Sequence, residues 1–242
     1  AYPEIFENNP YNEKNVNLSF FLLSVCGAIW SLGFLFLLNS TSYPVAYTWR
    51  VIMDFGTILL PAFWVHFVLA ILDEDKVKFR VLFFSYSVAA IIALLNVLEI
   101  FYPGIFIIKL EPKLVFNYYP TAGFGYYVLI FFYLVSIPYS LRLLFKKIQK
   151  SQGLEIQQLK FIFLAAILGF VGGGVAFLPT FGILILPISV IFFSIYPVII
   201  AYAILKYHLF SLKLILVELA ILLLNMFLLF NVFTSHATID FV

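Results

Sequence analysis

The sequence predicts an all-α polytopic membrane protein, with seven transmembrane helices in a bundle and a small extracellular β-hairpin between the third and fourth helices. Hydrophobic residues make up 64% of the 242 residues, charged residues make up 11%, and the mean hydropathy is +1.09. Soluble domains are about half apolar and about a quarter charged. The apolar residues also fall into seven runs that each approach the roughly 20 residues needed to cross a bilayer. The first partner that the composition predicts is therefore the lipid bilayer.

The seven runs are separated by short connections, which sets the predicted organisation of the chain. Residues 1–17 are polar and are expected to form a cytoplasmic lead-in. Residues 18–233 are expected to form the membrane domain, and residues 234–242 an outside tail that precedes a further helix. The predicted helices cover residues 18–38, 51–72, 79–102, 124–145, 156–178, 181–205 and 209–232.

The longest connection, residues 103–123, has the pattern of a β-hairpin. Two partly apolar stretches, 106–110 and 114–119, flank Glu111-Pro112. Extended segments around a turn signal are typical of paired strands. The sequence thus predicts a hairpin that turns at Glu111-Pro112 and caps one end of the bundle.

The fifth and sixth predicted helices carry the strongest packing and bending signals. Residues 179–182 form such a short connection that the two helices are expected to lie antiparallel. Gly169 and Gly173 have the small-xxx-small spacing that allows membrane helices to approach closely. Pro187 and Pro197 are expected to kink the sixth helix.

The basic residues predict the orientation of the bundle. Lys and Arg in short loops favour the cytoplasmic side. Of the 14 Lys and Arg, all but Arg50, Lys109 and Lys113 fall on one side of the predicted bundle. The lead-in and the 206–210 turn are therefore expected in the cytoplasm and the hairpin outside, in a multi-pass protein of the cell membrane. Because the small net positive charge is spread over short loops, no nucleic-acid partner is expected.

Several polar side chains are predicted to meet at the outer end of the bundle. Arg50 and Asp54 are one helical turn apart, and Asn96 and Glu99 share a face of the third predicted helix. Ionisable groups inside a membrane are expensive, so they suggest a function. We hypothesise a pocket for an unknown small ligand; the alternative is that Arg50 and Asp54 only neutralise each other while Glu99 reaches interfacial water. The candidate ligand-binding residues are Trp49, Arg50, Asp54, Asn96, Glu99, Tyr102, Tyr118 and Tyr119.

Enzyme and metal motifs are not evident in the sequence. It lacks the metalloprotease, serine-hydrolase and phosphate-loop patterns. His66 has no second His or Cys at ligand spacing, so an interhelical hydrogen bond is a better expectation for it than a metal. No catalytic residue, metal or cofactor is predicted, and the chain itself is not expected to be an enzyme.

The sequence resembles one family along most of its length. Residues 201–212, AYAILKYHLFSL, preceded by Tyr196-Pro197, are similar to the signature that closes the N-terminal seven-helix (7TM) membrane region of bacterial sensor histidine kinases. Residues 60–67, 158–160 and 169–179 are similar to recurring features of that family, in the same order. The resemblance implies a membrane sensor that is followed by a cytoplasmic output domain and acts as a homodimer. The phospho-accepting histidine and the ATP-binding domain of such kinases lie outside these residues.

The functional prediction is therefore the sensor or input domain of a two-component signal-transduction protein. The expected coupling residues are Pro187, Pro197, Lys206 and His208, around the sixth helix and the turn that follows it. Two alternatives remain at this point: a small transporter or channel subunit, and a purely structural assembly subunit. A transporter usually shows inverted repeats, and no convincing repeat is apparent in the sequence.

Overall fold

A computed structural model describes residues 10–72, 75–186, 190–207 and 213–237 of the chain. Within these residues it confirms a seven-helix all-α bundle with a small antiparallel hairpin. The elements are α1 (Pro10–Leu38), α2 (Tyr43–Leu72), α3 (Asp75–Leu98), β1 (Ile107–Lys113), β2 (Phe116–Ala122), α4 (Phe124–Lys150), α5 (Gly153–Val175), a 3₁₀ helix (Leu178–Phe181), α6 (Val190–Tyr207) and α7 (Lys213–Ala237).

Helices α1 to α5 are each long and apolar enough to cross a membrane, while α6 and α7 contain shorter apolar stretches, Ile191–Ala203 and Leu219–Asn231. The helix α2 begins at Tyr43, eight residues before the predicted start, because its first two turns are polar and aromatic and escape a search for apolar runs. With 30 residues it is about 45 Å long. This extra length places Arg50 and Asp54 inside the helix instead of at its end.

The helices α1 and α2 pack against each other through glycines on both sides. A Cβ atom on Gly33 would lie 2.7 Å from Cβ of Met53, and a Cβ atom on Gly56 would lie 2.7 Å from the backbone oxygen of Cys26. Both distances are too short for real atoms, so the close approach of the two helices depends on glycine. The predicted pair Gly169 and Gly173 faces aromatic rings of α6. A Cβ atom on Gly169 would lie 3.7 Å from the Tyr196 ring and one on Gly173 would lie 3.6 Å from the Phe193 ring, which are ordinary contact distances.

The hairpin turns three residues later than predicted, at residues 114–115. Lys113 pairs with Phe116, and Leu114, with φ of 55°, lies in the turn, so the predicted turn at Glu111-Pro112 was wrong. Glu111 instead belongs to β1, where its carboxylate accepts from the Thr121 hydroxyl at 2.5 Å and from Lys109 at 2.6 Å. These partners lower the pKa of Glu111 from its ordinary value, with the hydrogen bond from Lys109 as the largest cause.

Two buried polar groups of the hairpin donate hydrogen bonds to the segment that directly follows α5. The Lys113 ammonium donates to the carbonyls of Pro120 and Pro179 at 3.1 and 3.0 Å, and the Tyr119 hydroxyl donates to the carbonyl of Ala176. Burial lowers the pKa of Lys113 and raises the pKa of Tyr119. The hairpin therefore covers the end of the bundle where α5 stops.

The sixth helix begins later than the sequence suggested. Predicted from residue 181, it starts at Val190, after a 3₁₀ helix with Pro179 in its first turn. Gly182, with φ of 85°, ends that short helix, and residues 183–186 are not helical. An apolar run alone does not distinguish a helix from such a connection. Pro197 lies inside α6, whereas Pro187 lies outside the described residues.

The close packing of α1 and α2 at Gly33 and Gly56 gives a prediction about stability. Gly56→Ala should lower the free energy of unfolding by about 1–3 kcal/mol, because the new methyl group forces α1 and α2 apart. Gly174→Ala is the matched control, since a Cβ atom there meets nothing within 4 Å and alanine favours a helix by about 1 kcal/mol over glycine. Unfolding in mixed detergent micelles would measure both. Equal stability of the two variants would contradict the packing described here.

Candidate functional site

The centre of the candidate site is an ion pair within α2. Nη1 of Arg50 lies 2.9 Å from Oδ2 of Asp54, one helical turn away, and both side chains have 0% of their surface exposed. Removing two charges from water costs several kcal/mol per ion, and their mutual attraction offsets this only when the remaining polar atoms are also bonded. The surroundings of the pair therefore decide what it does.

Two neighbouring helices supply hydrogen bonds to this pair. Nη1 of Arg50 also donates to Oδ1 of Asn96 on α3 at 2.6 Å, and the Asn96 amide donates to the carbonyl of Val51 at 3.3 Å. The hydroxyl of Tyr126, near the start of α4, donates to Oδ1 of Asp54 at 2.6 Å. The four side chains, which we call the Arg50 network, thus connect α2, α3 and α4.

Aromatic rings enclose the guanidinium group. Cζ of Arg50 lies 4.7 Å from the ring centre of Tyr47 and 6.0 Å from that of Phe106. Rings at these distances attract a cation through their π faces. Phe106 can take this position because Gly125 has no side chain: a Cβ atom there would overlap the Phe106 ring.

Glu99 holds the loop that positions Phe106. Its carboxylate accepts hydrogen bonds from the backbone N–H of Gly104 at 3.1 Å and of Phe106 at 2.7 Å. The Tyr47 hydroxyl donates to the Glu99 carbonyl at 3.2 Å. Glu99 follows the last residue of α3, and only 1% of it is exposed. It therefore links the end of α3 to the aromatic enclosure of Arg50.

Two donors of Arg50 are left over. Its Nε and Nη2 atoms are buried and have no hydrogen-bond partner among the described residues. A buried donor without an acceptor costs about 1–3 kcal/mol. These two N–H groups are therefore donors that the described residues leave unused.

The structure brings together half of the predicted ligand-binding residues. Arg50, Asp54 and Asn96 form the network, and Glu99 lies next to it through the Tyr47 and Phe106 contacts. The aromatic candidates lie elsewhere. Trp49 stacks on Phe36 with ring centres 4.4 Å apart, and Tyr102 is 65% exposed. The rings of Tyr118 and Tyr43 meet edge to face, and the Tyr119 hydroxyl donates to the carbonyl of Ala176, just after α5.

Sequence reasoning missed Tyr47, Phe106 and Tyr126. Their signal was weak, because aromatic residues are abundant throughout the chain, at 20%. Tyr126 could have been suspected from its place in the first turn of α4, at the same end as Arg50. Ligand binding by the eight residues named from the sequence stays a prediction.

Comparison with known proteins identifies the family. The family described as the N-terminal 7TM region of histidine kinase matches residues 8–213. The chain belongs to this family. This confirms the resemblance found in the sequence and identifies the chain as part of a multi-pass membrane protein. No curated protein and no solved structure matches it.

Of the residues expected to couple this 7TM region to an output, the structure describes Pro197 and Lys206, both in α6. Lys206 is exposed, and its ammonium donates to the Tyr202 hydroxyl, one turn earlier, at 2.5 Å. Pro197 lies in the middle of α6, and His208 falls outside the described residues. A further polar link joins three helices of this part: Ser31 donates to Asn225 at 2.6 Å, and the Asn225 amide lies 3.5 Å from the Phe193 carbonyl.

His66 forms the predicted interhelical contact. Its Nδ1 atom lies 2.7 Å from the hydroxyl of Tyr86 on α3. Within the described ranges, no three His, Cys, Asp or Glu side chains come together as a metal would require. The structure thus places His66 in helix packing between α2 and α3.

The 7TM region also contains an apolar cavity of about 480 Å³, lined by α1, α2, α4, α5, the 3₁₀ helix and α6. Its lining includes Trp30, Trp64, Phe170, Phe193 and Tyr196. None of the eight predicted ligand-binding residues lines it. The Arg50 network and the cavity are therefore two separate features.

Tyr126→Phe tests the part of the network that the sequence missed. Loss of a hydrogen bond to a buried carboxylate should lower the free energy of unfolding by about 1.5–3 kcal/mol. Tyr127→Phe is the matched control, because Tyr127 is 60% exposed and its change should stay within about 0.5 kcal/mol. If both variants unfold like the wild type, the Tyr126–Asp54 hydrogen bond contributes no measurable free energy of unfolding.

Proposed function

We propose that this 7TM region is the sensing input of a signal-transduction protein and that it passes ligand or membrane signals to a cytoplasmic kinase output. One observation carries the proposal: a charged network is buried where the hairpin covers the bundle, and it includes two Arg50 donors without a partner among the described residues. Membership in the histidine kinase 7TM family supports it. Catalysis, in this proposal, belongs to the output and not to the helices.

In this proposal the sensing event acts on Arg50. An anionic or carbonyl-bearing ligand, or a change in the outer leaflet, would engage the Nε and Nη2 donors and compete with the bonds to Asp54 and Asn96. The Asn96 bond connects α2 to α3, and Asp54, which Tyr126 of α4 bonds, would lose its cationic partner. Competition for Arg50 would therefore change how the three helices pack. The distribution of Lys and Arg supports an outer location for this end of the bundle.

The change would then reach the output through α6. Phe193 and Tyr196 of α6 contact Gly173 and Gly169 of α5, and Phe193 also contacts Trp30 of α1 with ring centres 4.7 Å apart. Pro197, one residue after Tyr196, is the proposed bending point, with Pro187, Lys206 and His208 as the other proposed coupling residues. A homodimer, as the family implies, would bring two outputs together.

A transporter for polar solutes is less well supported. The cavity has no Asp, Glu, Lys, Arg or His among its described lining residues. Transporter sites usually place polar groups and helix ends near the middle of the bilayer. An apolar cavity offers a polar solute no hydrogen bonds in exchange for its hydration shell.

Arg50→Lys tests the sensing role in the full-length protein that carries this 7TM region. The substitution keeps the charge but cannot reproduce the planar guanidinium contacts. Autophosphorylation in membrane vesicles should change about fivefold or more, in either its basal or its stimulated rate. The matched control is Arg80→Lys, because Arg80 is exposed near the start of α3.

The outcome depends on insertion as well as on activity. Both variants must reach the membrane at wild-type levels, which a tagged protein shows by fractionation. Wild-type autophosphorylation by a correctly inserted Arg50→Lys protein would refute the role proposed for the network.

A further inference from the structure

The apolar cavity opens sideways between α4 and α5. Three of its lining residues are also substantially exposed: Leu134 of α4 at 66%, and Val171 and Ile167 of α5 at 54% and 36%. Both helices are long and apolar enough to span a membrane. The opening therefore faces the hydrocarbon interior of the bilayer, and not water.

The inner wall of the cavity is built from small and aromatic residues. Ala165 and Ala166 on α5 are buried and leave space beside that helix. Gly174 also lines the cavity but is exposed, at the opening, where a Cβ atom would meet nothing within 4 Å. Trp30 and Trp64 line the deeper side and are only 4% and 3% exposed. A group that fills this space must therefore enter between α4 and α5.

The polar atoms of the lining give little for a polar ligand to bind. The Tyr133 hydroxyl donates to the Thr57 carbonyl at 2.7 Å, and the Thr57 hydroxyl donates to the Met53 carbonyl at 3.0 Å. The buried indole N–H of Trp64 has no partner among the described residues. Because the described lining otherwise consists largely of hydrocarbon and has no charged side chain, a hydrocarbon chain fits it better than a polar ligand, which would lose its hydration on entry.

The dimensions of the cavity fit one chain of a lipid. On α4 the lining extends from Leu129 to Leu141, which is about 18 Å along the helix axis. Half the hydrocarbon thickness of a bilayer is about 15 Å. The cavity thus matches the length of an acyl chain in one leaflet, and bilayer lipids are the hydrocarbon that surrounds its opening.

We infer that the cavity between α4 and α5 binds an acyl chain of a membrane phospholipid. The chain enters past Leu134 and Val171 and packs against Trp64, Phe170 and Tyr196. Tyr196 directly precedes Pro197, so the bound chain supports α6 at the point where that helix contains its proline. This binding follows from the cavity alone and does not depend on the proposed sensing function.

The test uses tryptophan fluorescence in vesicles. Trp49→Phe removes the one tryptophan that does not line the cavity, and leaves Trp30 and Trp64 as reporters. The protein is reconstituted in dioleoyl phosphatidylcholine or in its 9,10-dibrominated form, whose bromines quench indole fluorescence at near-contact distance. Because both reporters are buried, lipids that stay outside the bundle do not reach them. We expect a clear loss of fluorescence in the brominated vesicles.

Two variants in the same background locate the quenching. Gly174→Phe places a ring at the opening of the cavity, where it should block entry of the chain and restore the fluorescence. Ile91→Phe is its control, because Ile91 is a 59% exposed residue of α3, outside the cavity, and it should leave the quenching unchanged. Circular dichroism confirms that each variant remains helical.

Three results would overturn the inference. One is fluorescence that is the same in both vesicles; another is quenching that persists fully in a helical Gly174→Phe protein. The third comes from adding a free bromoalkane to unbrominated vesicles: quenching by the alkane without quenching by the brominated phospholipid would assign the cavity to small apolar molecules. None of these results bears on autophosphorylation, so this inference and the proposed sensing function fail separately.

Discussion

The buried ion pair of Arg50 and Asp54 is the interaction on which the hairpin-covered end of the bundle depends. Two full charges with no exposed surface are tolerated only if other groups bond to them. Asn96 and Tyr126 supply those bonds from α3 and α4, and the rings of Tyr47 and Phe106 enclose the cation. The requirement to satisfy one ion pair therefore fixes how three helices and the loop after α3 meet.

The packing around α5 and α6 differs from that of the Arg50 network. Around α5 and α6 aromatic rings lie beside glycines, and the packing leaves an apolar cavity with a lateral opening. The polar end connects α2, α3 and α4, whereas the cavity borders α6, which contains Pro197. In the proposed sensing function, the Arg50 network would be the part that is held in place and α6 the part that responds. Lipid occupancy of the cavity would then set the position from which α6 moves.

Hydropathy predicted the seven helices because crossing a membrane constrains each segment locally, and two partly apolar stretches around a turn signal predicted the hairpin. It failed where tertiary contacts decide. The turn lies at Leu114, since Glu111 belongs to β1 and its carboxylate accepts a hydrogen bond from Thr121 on β2. Gly182, in a left-handed conformation, ends the 3₁₀ helix that lies where the sixth helix was predicted to begin. At the site, the spacing of Arg50 and Asp54 predicted their pairing, and depth predicted Asn96 beside them. The Tyr126–Asp54 bond and the cavity depend on how helices far apart in the sequence pack, and no local sequence pattern predicts that packing.

The most direct test of the network is a double-mutant cycle between Arg50 and Asp54. Arg50→Met and Asp54→Leu should each lower the free energy of unfolding in mixed micelles by about 3–5 kcal/mol, because each leaves one buried charge alone. The double variant should lose clearly less than the sum, with a coupling energy of about 2–3 kcal/mol. Effects that add within about 0.5 kcal/mol would mean that the two residues act independently, and would contradict the account of the ion pair as the organising interaction.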